Sequence, residues 1–234
     1  MNALRTRADD LRSGRTPFVL ATVVRAERPT SAKPGDRALL LPDGSIEGFV
    51  GGDCAEATVR AQGLRLLESG ASTLLRIIPG PGPGATAEGL VTVENHCLSG
   101  GSLDIFLEAV LPPLLVHVYG DAPVARALVE VGRALGHEVY PFTEPLPPDL
   151  GAVVVASHGR GDEHAVLTAA LSAGVPYVGL IASRKRAAAV LGGLDVPPDQ
   201  RARVRSPAGL DIGARTAPEI ALSVYAQLIS ERHD

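Results

Sequence analysis

The sequence predicts an α/β protein in two parts: a strand-rich α+β N-terminal domain over residues 1–112 and a Rossmann-like parallel-sheet domain over residues 113–234. Three observations carry that reading. Up to residue 110, short apolar and β-branched runs dominate, and one long amphipathic pattern interrupts them. Pro112-Pro113 then breaks the pattern. From Leu114 onward strand-like runs alternate with helical periodicity, as in a parallel sheet covered by helices.

Taken in order, residues 3–13 read as a short helix and residues 18–24 as a strand ended by charge and Pro29. Residues 37–41 and 45–50 flank Pro42-Asp43-Gly44, and Asp-Gly between two such runs signals a hairpin. A helix follows Gly51-Gly52, with Val59, Leu64 and Leu67 on its apolar side, and continues to about Ser69. Residues 73–78 are a strand, and the proline- and glycine-rich residues 79–86 read as a loop without regular structure. Residues 90–93 and 103–107 are strands around a second glycine-rich segment. In the second part, strands are expected at 114–119, 138–142, 152–156 and 177–181, and helices at 124–135, 162–173 and 184–191. Residues 195–203 form a proline-containing connection. The closing helix starts at Thr216, whose spacing to Glu219 fits a capping box.

Composition narrows the function classes. A chain of 234 residues holds one large domain or two small ones. A net charge of −4, no Trp and only four Phe and four Tyr argue against nucleic acid as a partner, which needs a basic face and stacking aromatics. The two cysteines, 43 residues apart and outside any CxxC pair, make neither a disulfide framework nor a zinc site by themselves. No signal peptide or membrane-length apolar run is present, so the expectation is a soluble cytoplasmic protein with reduced thiols.

Chemistry concentrates in a few turns. In Gly51-Gly52-Asp53-Cys54-Ala55-Glu56 a strand runs into a helix, and a thiol at a helix start has its pKa lowered and its thiolate favoured. The plainer alternative makes Asp53 the N-cap and Cys54 a small buried apolar residue. His96-Cys97-Leu98-Ser99-Gly100-Gly101 repeats a thiol beside two glycines. Two such cysteines suggest either a pair holding a persulfide, a soft metal or a sulfur-bearing cofactor, or two unrelated thiols.

Ligands of an open parallel sheet sit beyond the carboxyl ends of its strands. Gly120-Asp121-Ala122-Pro123-Val124-Ala125 occupies the place of a dinucleotide loop, but alanines replace its later glycines and Pro123 removes a donor. His158 follows a central strand. Ser183-Arg184-Lys185-Arg186 sets three cations at a helix start, against the dipole, and an anionic phosphate or pyrophosphate there would reverse the penalty. The alternative is a solvated basic turn. Residues 209–214 reach the same edge, with no role derived for Asp211.

Gly51-Gly52-Asp53-Cys54-Ala55-Glu56, His96 to Gly101, Tyr177 to Lys185, and Gly209 to Ala214 with Pro218-Glu219-Ile220-Ala221 together resemble the XdhC/CoxI family of accessory proteins. The resemblance implies a non-catalytic maturation factor with a Rossmann C-terminal half. Such a factor binds molybdenum cofactor, as molybdopterin or its dinucleotide form, and supports its sulfuration with a cysteine desulfurase as donor. It then inserts the cofactor into a molybdenum hydroxylase apoenzyme of the xanthine dehydrogenase or carbon monoxide dehydrogenase type. A homo-oligomer, a dimer, is expected. The cofactor-binding residues so implied are Gly51, Gly52, Cys54, Glu56, Cys97, Gly120, His158, Ser183, Arg184 and Lys185, with no catalytic or metal-ligating residue. An NAD(P)-dependent oxidoreductase with a Rossmann domain is the enzyme alternative, although the Gly120 loop is poorer in glycine than the family's. A third reading is an adaptor that grips the desulfurase and the hydroxylase without touching cofactor.

Overall fold

The computed structural model describes residues 2–80, 85–95, 100–157 and 162–233. The chain divides into two compact units, Met1–Pro112 and Pro113–Asp234. Among the described residues, no helix is long and apolar enough to cross a membrane.

The first unit runs α1 (Asn2–Ser13), β1 (Phe18–Glu27), β2 (Arg37–Leu40), β3 (Ile46–Gly48), α2 (Asp53–Ser69), β4 (Ser72–Pro79), β5 (Ala85–Ala87), β6 (Leu90–Asn95) and β7 (Ser102–Val110). Its strands form one mixed sheet in the order β3-β2-β1-β7-β4-β6-β5, antiparallel except where β4 meets β6. Alternation along the strands sorts side chains to two faces. Val19, Ala21, Val23, Leu75, Ile77, Ile105 and Leu107 pack with Val59 of α2, while Phe18 and Leu39 pack with Ala8 and Leu11 of α1. Arg76 and Asp104, cross-strand neighbours of β4 and β7, join through a forked pair at 2.8 and 3.0 Å. These hydrogen bonds hold the Asp104 carboxyl below the usual carboxylate range.

Strand bounds differ from expectation where pairing decides them. β1 extends to Glu27, carried by its ladder with β7 down to Ser102. Ala85–Ala87, expected within a loop, is a strand because β6 supplies its ladder. Residues 81–84 of that loop lie outside the described residues.

The second unit runs β8 (Leu115–Tyr119), α3 (Pro123–Ala134), β9 (Glu138–Pro141), β10 (Leu150–Val155), α4 (Glu163–Ser172), β11 (Tyr177–Leu180), α5 (Arg184–Gly192), α6 (Pro198–Ala202), β12 (Val204–Arg205) and α7 (Ala217–His233). All five strands are parallel, in the order β12-β11-β10-β8-β9. The order reverses direction between β8 and β10, which makes that gap the topological switch point. Helices cover both faces, so β10 is apolar throughout. Its Ala152 and Val154 pack with residues of α3 and α7, and its Val153 and Val155 with residues of α4 and α5. Strand β12, absent from the sequence reading, is too short for any periodicity to reveal it. The capping box at α7 forms as expected: Glu219 accepts from the Thr216 N–H at 2.9 Å, and its own N–H reaches Thr216 Oγ1 at 3.4 Å.

Helix α7 locks onto α3 through Tyr225, a fully buried side chain whose hydroxyl donates to the Leu128 carbonyl at 2.7 Å. Burial pushes this phenol's pKa up, so it stays a donor. Gly132 of α3 makes the room, since a Cβ there would stand 2.1 Å from the Tyr225 hydroxyl oxygen and 2.6 Å from Val139. Gly132→Ala would gain about 1 kcal/mol of helix propensity and lose about 1–3 kcal/mol to overpacking. At such a contact the clash dominates. The expected outcome is a lower urea midpoint with an unchanged m-value.

Candidate functional site

In the second unit the carboxyl ends of β8, β10, β11 and β12 share one edge, as a parallel sheet requires. Gly120 follows β8 at φ +125, and a Cβ on it would stand 2.4 Å from the Ala156 carbonyl oxygen. Glycine is required there because the chain leaving β8 presses against the chain leaving β10. Ala156 N–H also donates to the Tyr119 carbonyl at 2.8 Å. The Tyr119 hydroxyl reaches Asp162 at 3.1 Å. Pro123 is the first residue of α3, and Ala122 caps that helix without a side-chain hydrogen bond.

Past β11, Ser183 is the N-cap of α5, its hydroxyl accepting from the Arg186 N–H at 3.4 Å. The three expected cations separate into different roles. Arg186 turns inward and pairs with Glu163 of α4, a carboxylate only 3% exposed, to which Ser157 beyond β10 also donates. Arg186 additionally donates to the Ile181 carbonyl at 3.4 Å. Glu163 therefore neutralises one of the three charges. Glu163 was missed in the sequence because a lone acid in a helix's first turn reads as ordinary dipole compensation. Arg184 and Lys185 are exposed.

A cavity of about 760 Å³ opens beside this turn. Ile181, Ala182, Ser183, Arg184 and Arg186 border it from one side, residues 207–212 and Ala214 from the other, together with Val124, Ile220 and Ser223. Its volume lies within the roughly 300–1,000 Å³ of small-molecule sites. Lys185 is not among the bordering residues. The loop is fastened to α7: Gly209 N–H donates to Gln227 Oε1 at 2.8 Å and Leu210 N–H to the Ser223 carbonyl at 3.1 Å. Gln227 Oε1 also accepts from the Tyr177 hydroxyl at 2.9 Å. The structure thus brings Asp211, left without a role by the sequence, to the same cavity as Ser183 and Arg184.

In the first unit Gly51, Gly52, Cys54 and Glu56 share the turn that opens α2. Gly51 adopts φ +134, and a Cβ would stand 2.8 Å from Ala55 and 3.4 Å from Leu103, so this glycine serves the close approach of helix to sheet. The N-cap is Gly52, without a side-chain cap, and Asp53 is the first helical residue rather than the cap. Gly52 accepts from the N–H groups of Ala55 and Glu56 at 2.9 and 3.1 Å. Cys54, expected as a reduced thiol, is half-buried and disulfide-bonded, so it offers no thiolate in this form. Cys97 and His158 lie outside the described residues. Among the described residues there is no cluster of three His, Cys, Asp or Glu side chains able to hold a metal ion.

The XdhC Rossmann domain matches residues 116–228, and the XdhC and CoxI family matches residues 11–77. The chain is 27% identical to the uncharacterized Escherichia coli protein YqeB, covering 98% of this chain and 46% of that one. It is 25% identical to the E. coli molybdenum cofactor insertion chaperone PaoD, covering 98% of this chain and 87% of that one. The chain thus spans about half the length of the first of these relatives. A Bacillus halodurans crystal structure described as a xanthine dehydrogenase superposes over 97% of this chain and 95% of its own, with a TM-score of 0.46 and 16% identity. The C-terminal unit is a Rossmann domain of the kind found in XdhC proteins. The chain belongs to the XdhC and CoxI family.

Replacing Glu163 tests the network that sets the cavity's edge. Glu163→Ala leaves Ser157 and Arg186 without their shared acceptor, a loss of about 1–3 kcal/mol. Glu163→Gln keeps an acceptor and should cost less. Urea denaturation of both variants reads the difference.

Proposed function

We propose that this chain is a maturation factor that binds molybdenum cofactor, supports its sulfuration and inserts it into a molybdenum hydroxylase of the xanthine dehydrogenase or carbon monoxide dehydrogenase type. The observation that carries the reading is the cavity at the carboxyl edge of the Rossmann sheet, where Ser183 and Arg184 stand at a helix start. Family membership supports it, as does likeness to a molybdenum cofactor insertion chaperone along 98% of the chain.

The residues present suit such a group. A pterin cofactor carries a phosphate, or a diphosphate in its dinucleotide form. A forked guanidinium, free of any ion-pair partner among the described residues, and a helix start suit that anion. Arg184 borders the cavity and Lys185 does not, so Arg184 takes the direct contact and Lys185 contributes only to the surrounding field. The cofactor's soft dithiolene and terminal sulfur match thiolate chemistry. We assign that role to Cys54 in its reduced form, on the turn with Gly51, Gly52 and Glu56; Cys97 and His158, outside the described residues, stay separate cofactor-binding candidates. The first unit is then the sulfur-handling domain, residues 1–112, and the second the cofactor-cradling domain, residues 113–234. A cysteine desulfurase as sulfur donor, a hydroxylase apoenzyme as recipient, a dimeric assembly and a cytoplasmic setting complete the proposal.

Expression in a cofactor-producing host, followed by molybdenum and pterin analysis of the purified protein, tests the reading. Stoichiometric pterin and metal are expected, and protein free of both would overturn it. Arg184→Ala should lower retention several-fold, and Lys185→Ala should do so less. Under reducing conditions Cys54→Ser should fold and hold cofactor yet fail to activate the hydroxylase. Full activation by that variant would remove Cys54 from the mechanism.

A further inference from the structure

The loop that closes the cavity carries chemistry of its own. Ile212 N–H donates to the Leu210 carbonyl at 3.0 Å, a three-residue turn with Asp211 at its apex. The side chains on either side, Leu210 and Ile212, are 43% and 52% exposed, large apolar groups left open at the mouth of a cavity they help to border. Val124, Ile181 and Ile220 extend that apolar wall. The hydrogen bonds to Gln227 and Ser223 fix the loop against α7, so Asp211 is held in place before any ligand arrives. Among the described residues neither Asp211 nor Arg184 has an ion-pair partner, and both border the cavity. With Arg186 paired to Glu163, the cavity therefore offers one acceptor-only carboxylate and, in Arg184, one donor-only guanidinium outside any ion pair among the described residues, with apolar walls.

An ionised carboxylate selects ligands that donate, and it selects most strongly those that donate twice along one edge. Aliphatic walls can pack against the faces of a flat heterocycle. We infer that Asp211 reads the 2-amino-4-oxo-pyrimidine edge of a bicyclic heterocycle while Arg184 and Ser183 hold its phosphate. Two adjacent N–H donors, the exocyclic amine and the neighbouring ring N–H, meet the two carboxylate oxygens. Pterins and guanine share that edge. Adenine and cytosine present a single amine beside a ring acceptor that faces the carboxylate unfavourably. This inference rests on the proposed cofactor reading of the same cavity and assigns it a specificity residue.

Calorimetric titration of the purified full chain with GMP, IMP, CMP and 6-hydroxymethylpterin tests it. GMP and IMP differ only by the exocyclic amine, so GMP should bind about tenfold more tightly or better, the loss expected for one missing charge-assisted hydrogen bond. CMP should bind more weakly than GMP. Asp211→Asn, an exposed substitution, should weaken GMP more than IMP and so shrink the preference, since IMP offers the carboxylate only its ring N–H. Arg184→Ala should weaken both nucleotides in proportion and leave unphosphorylated 6-hydroxymethylpterin unaffected. Binding of 6-hydroxymethylpterin that depends on Asp211 supports a pterin at this edge. Binding of GMP alone, with the same dependence, supports a guanine nucleotide. Equal affinity for GMP and IMP, tighter binding of CMP, an Asp211→Asn variant that keeps the preference, or no binding of any probe would overturn it. Molybdenum and pterin in the purified protein without this discrimination would reject Asp211 alone. Discrimination without copurifying cofactor would instead reject the cofactor reading.

Discussion

Much of the second unit's functional edge depends on one buried carboxylate. Glu163 accepts from Ser157 beyond β10 and from Arg186 in the first turn of α5, so a single group joins two strand exits and two helices. Burying a charge is costly unless it is paired and hydrogen-bonded, and here both conditions hold. The pairing also decides the electrostatics of the cavity. With Arg186 neutralised and Lys185 off the cavity's border, Arg184 is the cation outside any ion pair that borders the opening from this helix start. That favours recognition by geometry over attraction of any polyanion.

The sheet order adds a second constraint. β8 and β10 are paired neighbours at the switch point, and just past their ends Gly120 meets the Ala156 carbonyl where a dinucleotide loop would leave space for a pyrophosphate. The cavity lies instead toward β11, β12 and α7. The same parallel scaffold thus offers its opening away from its first turn.

The architecture was largely legible in the sequence, since alternation of buried strands and amphipathic helices after Pro113 leaves few topologies. The Thr216–Glu219 cap and the Asp43-Gly44 hairpin turn were readable for the same reason, as local chemistry acting over three or four residues. What escaped depended on partners distant in sequence. Ala85–Ala87 is a strand only because β6 lies beside it, and Glu163 is special only because Arg186 and Ser157 converge on it. The basic run at 184–186 was visible as three equal charges, whereas helical phase turns Arg186 inward and leaves Arg184 and Lys185 outside. The oxidised state of Cys54 was likewise beyond the reach of spacing, because two cysteines far apart in sequence carry no signal of contact.

Gln227 lies on the closing helix, and its amide oxygen serves both the Gly209 N–H and the Tyr177 hydroxyl. The floor of the sheet and the lip of the opening therefore share one anchor. A substitution at that anchor would tilt the lip without altering any group that faces the opening. Relatives with the same mouth-lining residues can thus come to prefer different guests through changes made entirely behind the wall.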